Sequence, residues 1–244
     1  MVKNRNPLFV RDTHIGFEHL CVDEMHTMHL GIFSLFVRIA LWRLVDLDPW
    51  QARRERTGIS GDQAVANHVR QLLYEWYKAA GAVPGGPPVY EYSGFNIRNL
   101  GSREGGGYLV GPKAAETGSM LRFVVDLLRQ HRGDLGPGGA ELLGCGEALV
   151  RYLNITRDAS ARLSAPELQG LMDTILRFLS LREAAGIPWL PKHAFGCAFG
   201  EAICEIREPT LCGDLVRRRA QHEIARYRWC GTSQGILETS FGSI

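Results

Sequence analysis

The chain has 244 residues and a formal net charge of +2 at pH 7, with 45% hydrophobic and 22% charged residues. That composition supports a buried core and excludes wholesale disorder. A charge so close to balance argues by itself for neither nucleic acid nor an anionic membrane as partner.

The six cysteines form no C-x-x-C pair, and the polar first residues lack the apolar stretch of a secretory signal. The thiols therefore read as reduced and the protein as intracellular, the nucleus included, with no targeting signal in view. Residues 1–16 are polar with a basic lean, and the apolar run 17–22 suits a short strand leading into Asp23. From Glu24 the pattern turns helical. Met25, Met28, Ile32, Leu35, Phe36 and Ile39 form one stripe, and Phe33, Val37, Leu41 and Leu44 a second beside it. Thr27, Gly31, Ser34 and Arg38 are left as a narrow polar face. A helix this apolar is expected at the centre of its domain. Gly31 inside it costs about 1 kcal/mol relative to Ala, so either the helix starts after Gly31 or something packs close there. The apolar run 28–47 approaches membrane-spanning length but carries His29, Arg38 and Arg43, each costly in lipid; no membrane partner is expected.

Pro49 ends that helix. Ser60 and Gln63 have the form of a capping box, and Val65, Val69, Leu72, Leu73 and Trp76 follow at helical spacing up to Gly81. The Gly/Pro-rich stretch 81–111 is the least regular part, with a short element at 95–100. Pro112 suits the first turn of the next helix, whose buried face is Leu121, Val124, Val125 and Leu128 and which Gly133 closes. Leu142, Cys145, Leu149, Tyr152 and Leu153 mark another. Ser164 and Glu167 make the best capping box in the chain, opening a helix with Leu168, Leu171, Met172, Ile175 and Leu179. Gly186, Pro188 and Pro191 break the chain before helices at 195–206 and 215–228. The expected architecture is mainly α, with about seven or eight helices and a few short strands. Residues 1–244 are read as a single domain, the stretch 81–111 being the place where it would subdivide.

Several constellations carry chemistry in principle. Gly106-Gly-Tyr-Leu-Val-Gly-Pro-Lys113 has the spacing of a phosphate loop. Pro112, however, stands where the lysine belongs, and Ala114 replaces the magnesium-holding hydroxyl, so no nucleotide partner is expected. His193, Cys197, Cys204, Cys212 and His222 are zinc-ligand types at spacings of no compact zinc module. No G-x-S-x-G is present. Arg217, Arg218 and Arg219 could neutralise phosphates, although local charge balance also fits a solvated helix face. Asp23, His26 and His29, spaced by three, would share one helix face. An Asp at a strand end before a histidine-bearing helix can hold Mg²⁺ for phosphoryl transfer; equally, Asp23 can be a plain N-cap.

Asp23-Glu-Met-His-Thr-Met-His-Leu-Gly31 resembles the D-x-M-H-x-x-x-L-G signature of divergent DDE transposases of the CACTA (En/Spm-like) type, including the transposon-like reading frames multiplied in some large protist genomes. Lys113-Ala-Ala-Glu-Thr117, Ala148-Leu-Val-Arg-Tyr-Leu153 with the helix 166–179, and Leu190-Pro-Lys-His193 resemble further stretches of those frames, in the same order. The motif residues are His26, His29, Gly31, Lys113, Glu116 and His193. The resemblance implies an RNase H-like core interrupted by a large helical insertion. Asp23 would be the second metal-binding acid of a D-D-E set and Asp214 the final one, with Glu223 behind it. Mg²⁺ would be the only cofactor, present only if that site survives. Asp12 is a poor match for the first acid, Ala194 stands in place of a histidine, and Gly213 in place of an acid, so the chain reads as truncated in front and eroded behind. A carboxylate set missing one member cannot hold two metals in line. The expectation is a transposase-derived protein without strand-transfer activity that keeps DNA contact through Arg217, Arg218 and Arg219. The competing expectation is a helical interaction module with no nucleic-acid or enzymatic role. Nothing in the sequence fixes the oligomeric state.

Overall fold

The computed structural model describes residues 25–55, 58–101, 103, 107–159 and 163–188, which lie within one compact unit, Val22–His193. A π-helix at Met25–Phe33 runs into α1 (Ser34–Leu47). There follow α2 (Ala52–Glu55), α3 (Gly61–Gly81), a 3-10 turn at Ile97–Leu100, α4 (Ala114–Gln130), α5 (Gly139–Asp158) and α6 (Ala165–Leu181). The described residues are thus mainly α, with no strand among them. The strand expected at 17–22 and the helices expected at 195–206 and 215–228 lie outside them. No helix among the described residues is long and apolar enough to cross a membrane.

The helix expected from Glu24 is wound in two ways. Over Met25–Phe33 the backbone bonds i→i+5, a wider turn than the α-helix, and then tightens into α1. The chain passes through Gly31 without a break, and Gly31 is buried in the wider segment. α1 is buried on nearly every side: Leu35, Phe36, Val37, Ala40, Leu41, Leu44 and Val45 are all at most 1% exposed. Each fully buried Leu, Val or Phe contributes about 1.5–3 kcal/mol relative to exposure, which makes α1 the axis of the core.

The face expected to be polar and narrow is not solvated. Ser34 and Arg38 are 3% and 2% exposed. The Ser34 hydroxyl accepts from the Leu109 amide at 2.9 Å, and Arg38 Nε donates to the Leu100 carbonyl at 2.8 Å. Burial lowers the Arg38 pKa. A guanidinium in the core is tolerable only when its donors find acceptors, and the irregular stretch after α3 brings one. Tyr92, Phe95, Leu100 and Leu109 of that stretch are themselves buried. The Tyr92 amide donates to the Tyr77 hydroxyl of α3 at 3.1 Å, and burial pushes the Tyr77 phenol up to about 12.

The helix ends show which local signals operate. After α1, Asp48 turns left-handed (φ 44°) and its amide donates to the Leu44 carbonyl at 3.0 Å; the Asp48 carboxylate then accepts from the amides of Ala52 and Arg53. Ser60 caps α3 through the Gln63 amide at 3.2 Å, but the expected reciprocal half is missing, because the Gln63 side chain donates to Asn67 instead. At α6 the box is complete: the Ser164 hydroxyl accepts from the Glu167 amide, and the Glu167 carboxylate accepts from the Ser164 amide. Arg43 of α1 donates to the Leu135 carbonyl and so holds the loop between α4 and α5. α5 and α6 pair closely, with Gly170 against Ile155 and the Cys145 thiol 3.7 Å from the Phe178 carbonyl.

Candidate functional site

Of the residues singled out in the sequence, His26, His29, Gly31, Lys113 and Glu116 are among those described. Asp23, Asp214, Glu223, His193, Arg217, Arg218 and Arg219 lie outside the described residues, as do the zinc-type residues Cys197, Cys204, Cys212 and His222.

His29 is the meeting point. Its Nδ1 lies 2.9 Å from the Ala114 carbonyl, 85 positions along the chain. A carbonyl only accepts, so Nδ1 carries the proton and Nε2 of the neutral ring is left as an acceptor. The His29 ring meets Phe33 edge-on at 4.9 Å, and Phe33 meets Tyr152 of α5 edge-on at 6.1 Å. Gly118 completes the junction, since a Cβ there would sit 3.5 Å from Leu153 and 3.6 Å from His29. The motif stretches at 25–31 and 113–117 thus meet at His29 and Ala114, and the stretch 148–153 packs against the adjoining Phe33 and Gly118. Of the two histidines His26 is exposed and His29 half-buried, in a π winding that turns less per residue than an α-helix.

The stretch Lys113–Thr117 has a structural reading that its sequence hides. Pro112 precedes the helix, and Lys113, not Pro112, is the cap residue of α4. A lysine side chain has no acceptor to offer, so capping falls to Glu116, whose carboxylate accepts from the Lys113 amide at 2.7 Å. The Lys113 carbonyl accepts from both the amide and the hydroxyl of Thr117. The amides of Ala114, Ala115 and Glu116 have no acceptor within the helix.

Ala114 and Ala115 border a cleft of about 400 Å³ beside the junction. Its walls are Met25 and His29 from the π-helix, Pro87, Pro88 and Tyr90 from the stretch after α3, the first turns of α4 as far as Arg122, and Leu153, Thr156 and Arg157 from the end of α5. Arg122 is half-buried and donates to the Asn154 amide oxygen at 2.7 Å. Burial lowers its pKa, and the neighbouring charge of Arg157 lowers it further. Arg157 is paired with Asp158 at 2.6 Å. No acidic side chain lines the cleft.

Other chemistry finds no footing here. Among the described residues no group of three His, Cys, Asp or Glu side chains could hold a metal ion, so the Mg²⁺ that the resemblance implies has no set of ligands among them. In the described part of the phosphate-loop spacing the Leu109 amide donates to the Ser34 hydroxyl and the Val110 amide to the Asn99 carbonyl at 2.8 Å, so those two amides are already engaged. Burial pushes the Cys145 thiol up to about 12, which makes it a core residue and not a nucleophile.

Arg122, Asn154 and Arg157 escaped the sequence reading. The available signal was Arg122 standing between Leu121 and Phe123, both of them core positions. Its association with α5 depends on helix pairing, which no local pattern encodes. Compared with protein-family models, curated proteins and solved structures, the chain matches none.

Proposed function

We propose that the chain is a transposase-derived protein that has lost strand-transfer chemistry and contacts DNA through Arg217, Arg218 and Arg219. The observation that supports this reading is the convergence of motif stretches on His29. A chance likeness in short segments gives no reason for them to meet in space. Here the His29–Ala114 bond joins two of them, and the third meets residues that adjoin them, Tyr152 against Phe33 and Leu153 against Gly118. On this reading the set would be the helical insertion of an RNase H-like architecture. Asp23 and Asp214 are then remnants of the acid set, one member short, and no step of strand transfer is assigned to them.

The test is binding of the full chain to a labelled DNA duplex over a salt series. Log affinity should fall linearly with log salt, with a slope of about −0.9 per neutralised phosphate. Arg217→Ala, Arg218→Ala and Arg219→Ala together should flatten it by up to about 3. A chain that leaves the duplex unbound at low salt would remove DNA from the reading.

A further inference from the structure

We propose that the cleft between the π-helix, α4 and α5 binds a small organic anion: a phosphate or carboxylate head on an aromatic or apolar body. The volume, about 400 Å³, lies in the range of ligand pockets. Its walls divide by chemistry. Pro87, Pro88, Tyr90 and Leu153 make an apolar side. The other side gathers positive potential from the Arg122 guanidinium and the opening of α4 at Ala114 and Ala115, with Arg157 nearby but already paired with Asp158.

Arg122 decides the sign of the ligand. A guanidinium has five donors, and among the described residues its hydrogen-bond acceptor is the neutral oxygen of Asn154. The two carboxylates whose charge reaches Arg122 are engaged elsewhere, Asp158 by Arg157 and Asp126 by Trp76 and Arg129, and Glu116 accepts from the Lys113 amide. The half-buried charge of Arg122 is thus held beside a second arginine, with donors directed at no carboxylate. An anion seated there would accept charge-assisted bonds, and the planar fork of arginine suits the two oxygens of a phosphate or carboxylate. His29 keeps its proton on Nδ1 for Ala114, so its Nε2 is an acceptor that can orient a hydroxyl on the ligand body.

The probe is phenyl phosphate, titrated into the full chain and followed by the amide resonances of Ala115 and Gly118. Inorganic phosphate serves as the head alone and benzyl alcohol as the body alone. Phenyl phosphate should give saturable shifts with millimolar or tighter affinity, about tenfold tighter than either part. Arg122→Gln, which keeps a donor for Asn154, should weaken it by about tenfold. Ala115→Leu, an exposed change that fills the rim from outside the core, should abolish it. Benzyl alcohol binding as tightly as phenyl phosphate would overturn the anion, and so would an unchanged affinity in Arg122→Gln. Absence of any saturable shift would overturn the site itself, including the case in which the chain's own residues occupy the cleft. Because the probe contains no nucleic acid, its failure leaves DNA contact by Arg217, Arg218 and Arg219 standing, and failure of DNA binding leaves the cleft standing.

Discussion

α6 begins where its own sequence says it should. Ser164 and Glu167 exchange bonds across three residues, and of the apolar positions expected after them Leu171 and Met172 are buried, Leu168, Ile175 and Leu179 half-buried, with Phe178 buried beside them. The segment from Met25 to Leu47 works differently. Its π-helix hands over to α1 at Phe33 with no side-chain cap. Its polar residues are answered from far away: His29 by Ala114, Ser34 by Leu109, Arg38 by Leu100 and Arg43 by Leu135. One helix is specified by neighbours in sequence, the other by neighbours in space. The first can therefore be weakened in place, whereas damage to the second should release distant parts of the fold.

The largest expected effect comes from the second kind. Arg38→Ala removes a buried guanidinium and the shorter of the two donors, Arg38 Nε and Trp42 Nε1, that the Leu100 carbonyl accepts from. The cavity and the loss of the shorter hydrogen bond should together cost about 2–3 kcal/mol. Urea unfolding followed by circular dichroism measures it. If the stretch after α3 depends on Arg38 as argued, hydrogen exchange at Leu100 and Leu109 should rise along with it. A loss below about 1 kcal/mol would mean that the stretch is held without Arg38.

α5 offers a test of intermediate size, because it touches both kinds of helix. A Cβ on Gly146 would lie 2.6 Å from Phe36 Cζ of α1 and 2.6 Å from Val125 Cγ2 of α4. Both neighbours are fully buried, so neither can withdraw. Gly146→Ala should cost about 1–3 kcal/mol in overpacking, offset by about 1 kcal/mol of helix propensity. A Cβ on Gly144 meets only the end of Leu181, at 2.7 Å, a half-buried side chain that can turn away. Gly144→Ala should be neutral or stabilise by up to about 1 kcal/mol. Equal penalties at the two glycines, read from thermal midpoints, would erase the distinction between the packed axis and the peripheral pair.

The same division explains what could be read from the sequence. The buried faces of α3, α4, α5 and α6 follow from spacing, since Val65, Val69, Leu121, Val124, Leu142 and Leu171 recur at helical intervals and are buried. The centrality of α1 follows from its lack of a polar side. What could not be read depends on long-range partners. Ser34 and Arg38 look like a solvated edge until Leu109 and Leu100 come to meet them. The start of α4 is legible from Pro112 to within two residues, but not that Glu116 would cap it through the Lys113 amide. The cleft is the extreme case: its cations come from α4 and α5, its apolar wall from the stretch after α3, and its histidine from a π winding that the three-residue spacing of His26 and His29 argues against.

The smallest effect belongs at the start of α6, and it should stay there. Ser164→Ala deletes the hydroxyl that accepts from the Glu167 amide at 3.4 Å and donates to the Glu167 carboxylate at 2.6 Å. A lost N-cap costs about 1 kcal/mol, and the long amide contact argues for the lower part of that range. The Ser164 amide still donates to Glu167 in the variant, so half of the box survives. The hydroxyl and amide of Ser164 hold the Glu167 pKa below its usual 4.5. A depressed carboxylate contributes stability above that usual value and loses it as pH falls through the depressed one. The gap between wild type and Ser164→Ala should therefore be constant at neutral pH and close on acidification below 4.5. Hydrogen exchange should quicken in the first turn of α6 and remain unchanged at Leu100 and Leu109. If those distant amides also loosen, α6 is coupled to the axis, and its local specification is only apparent.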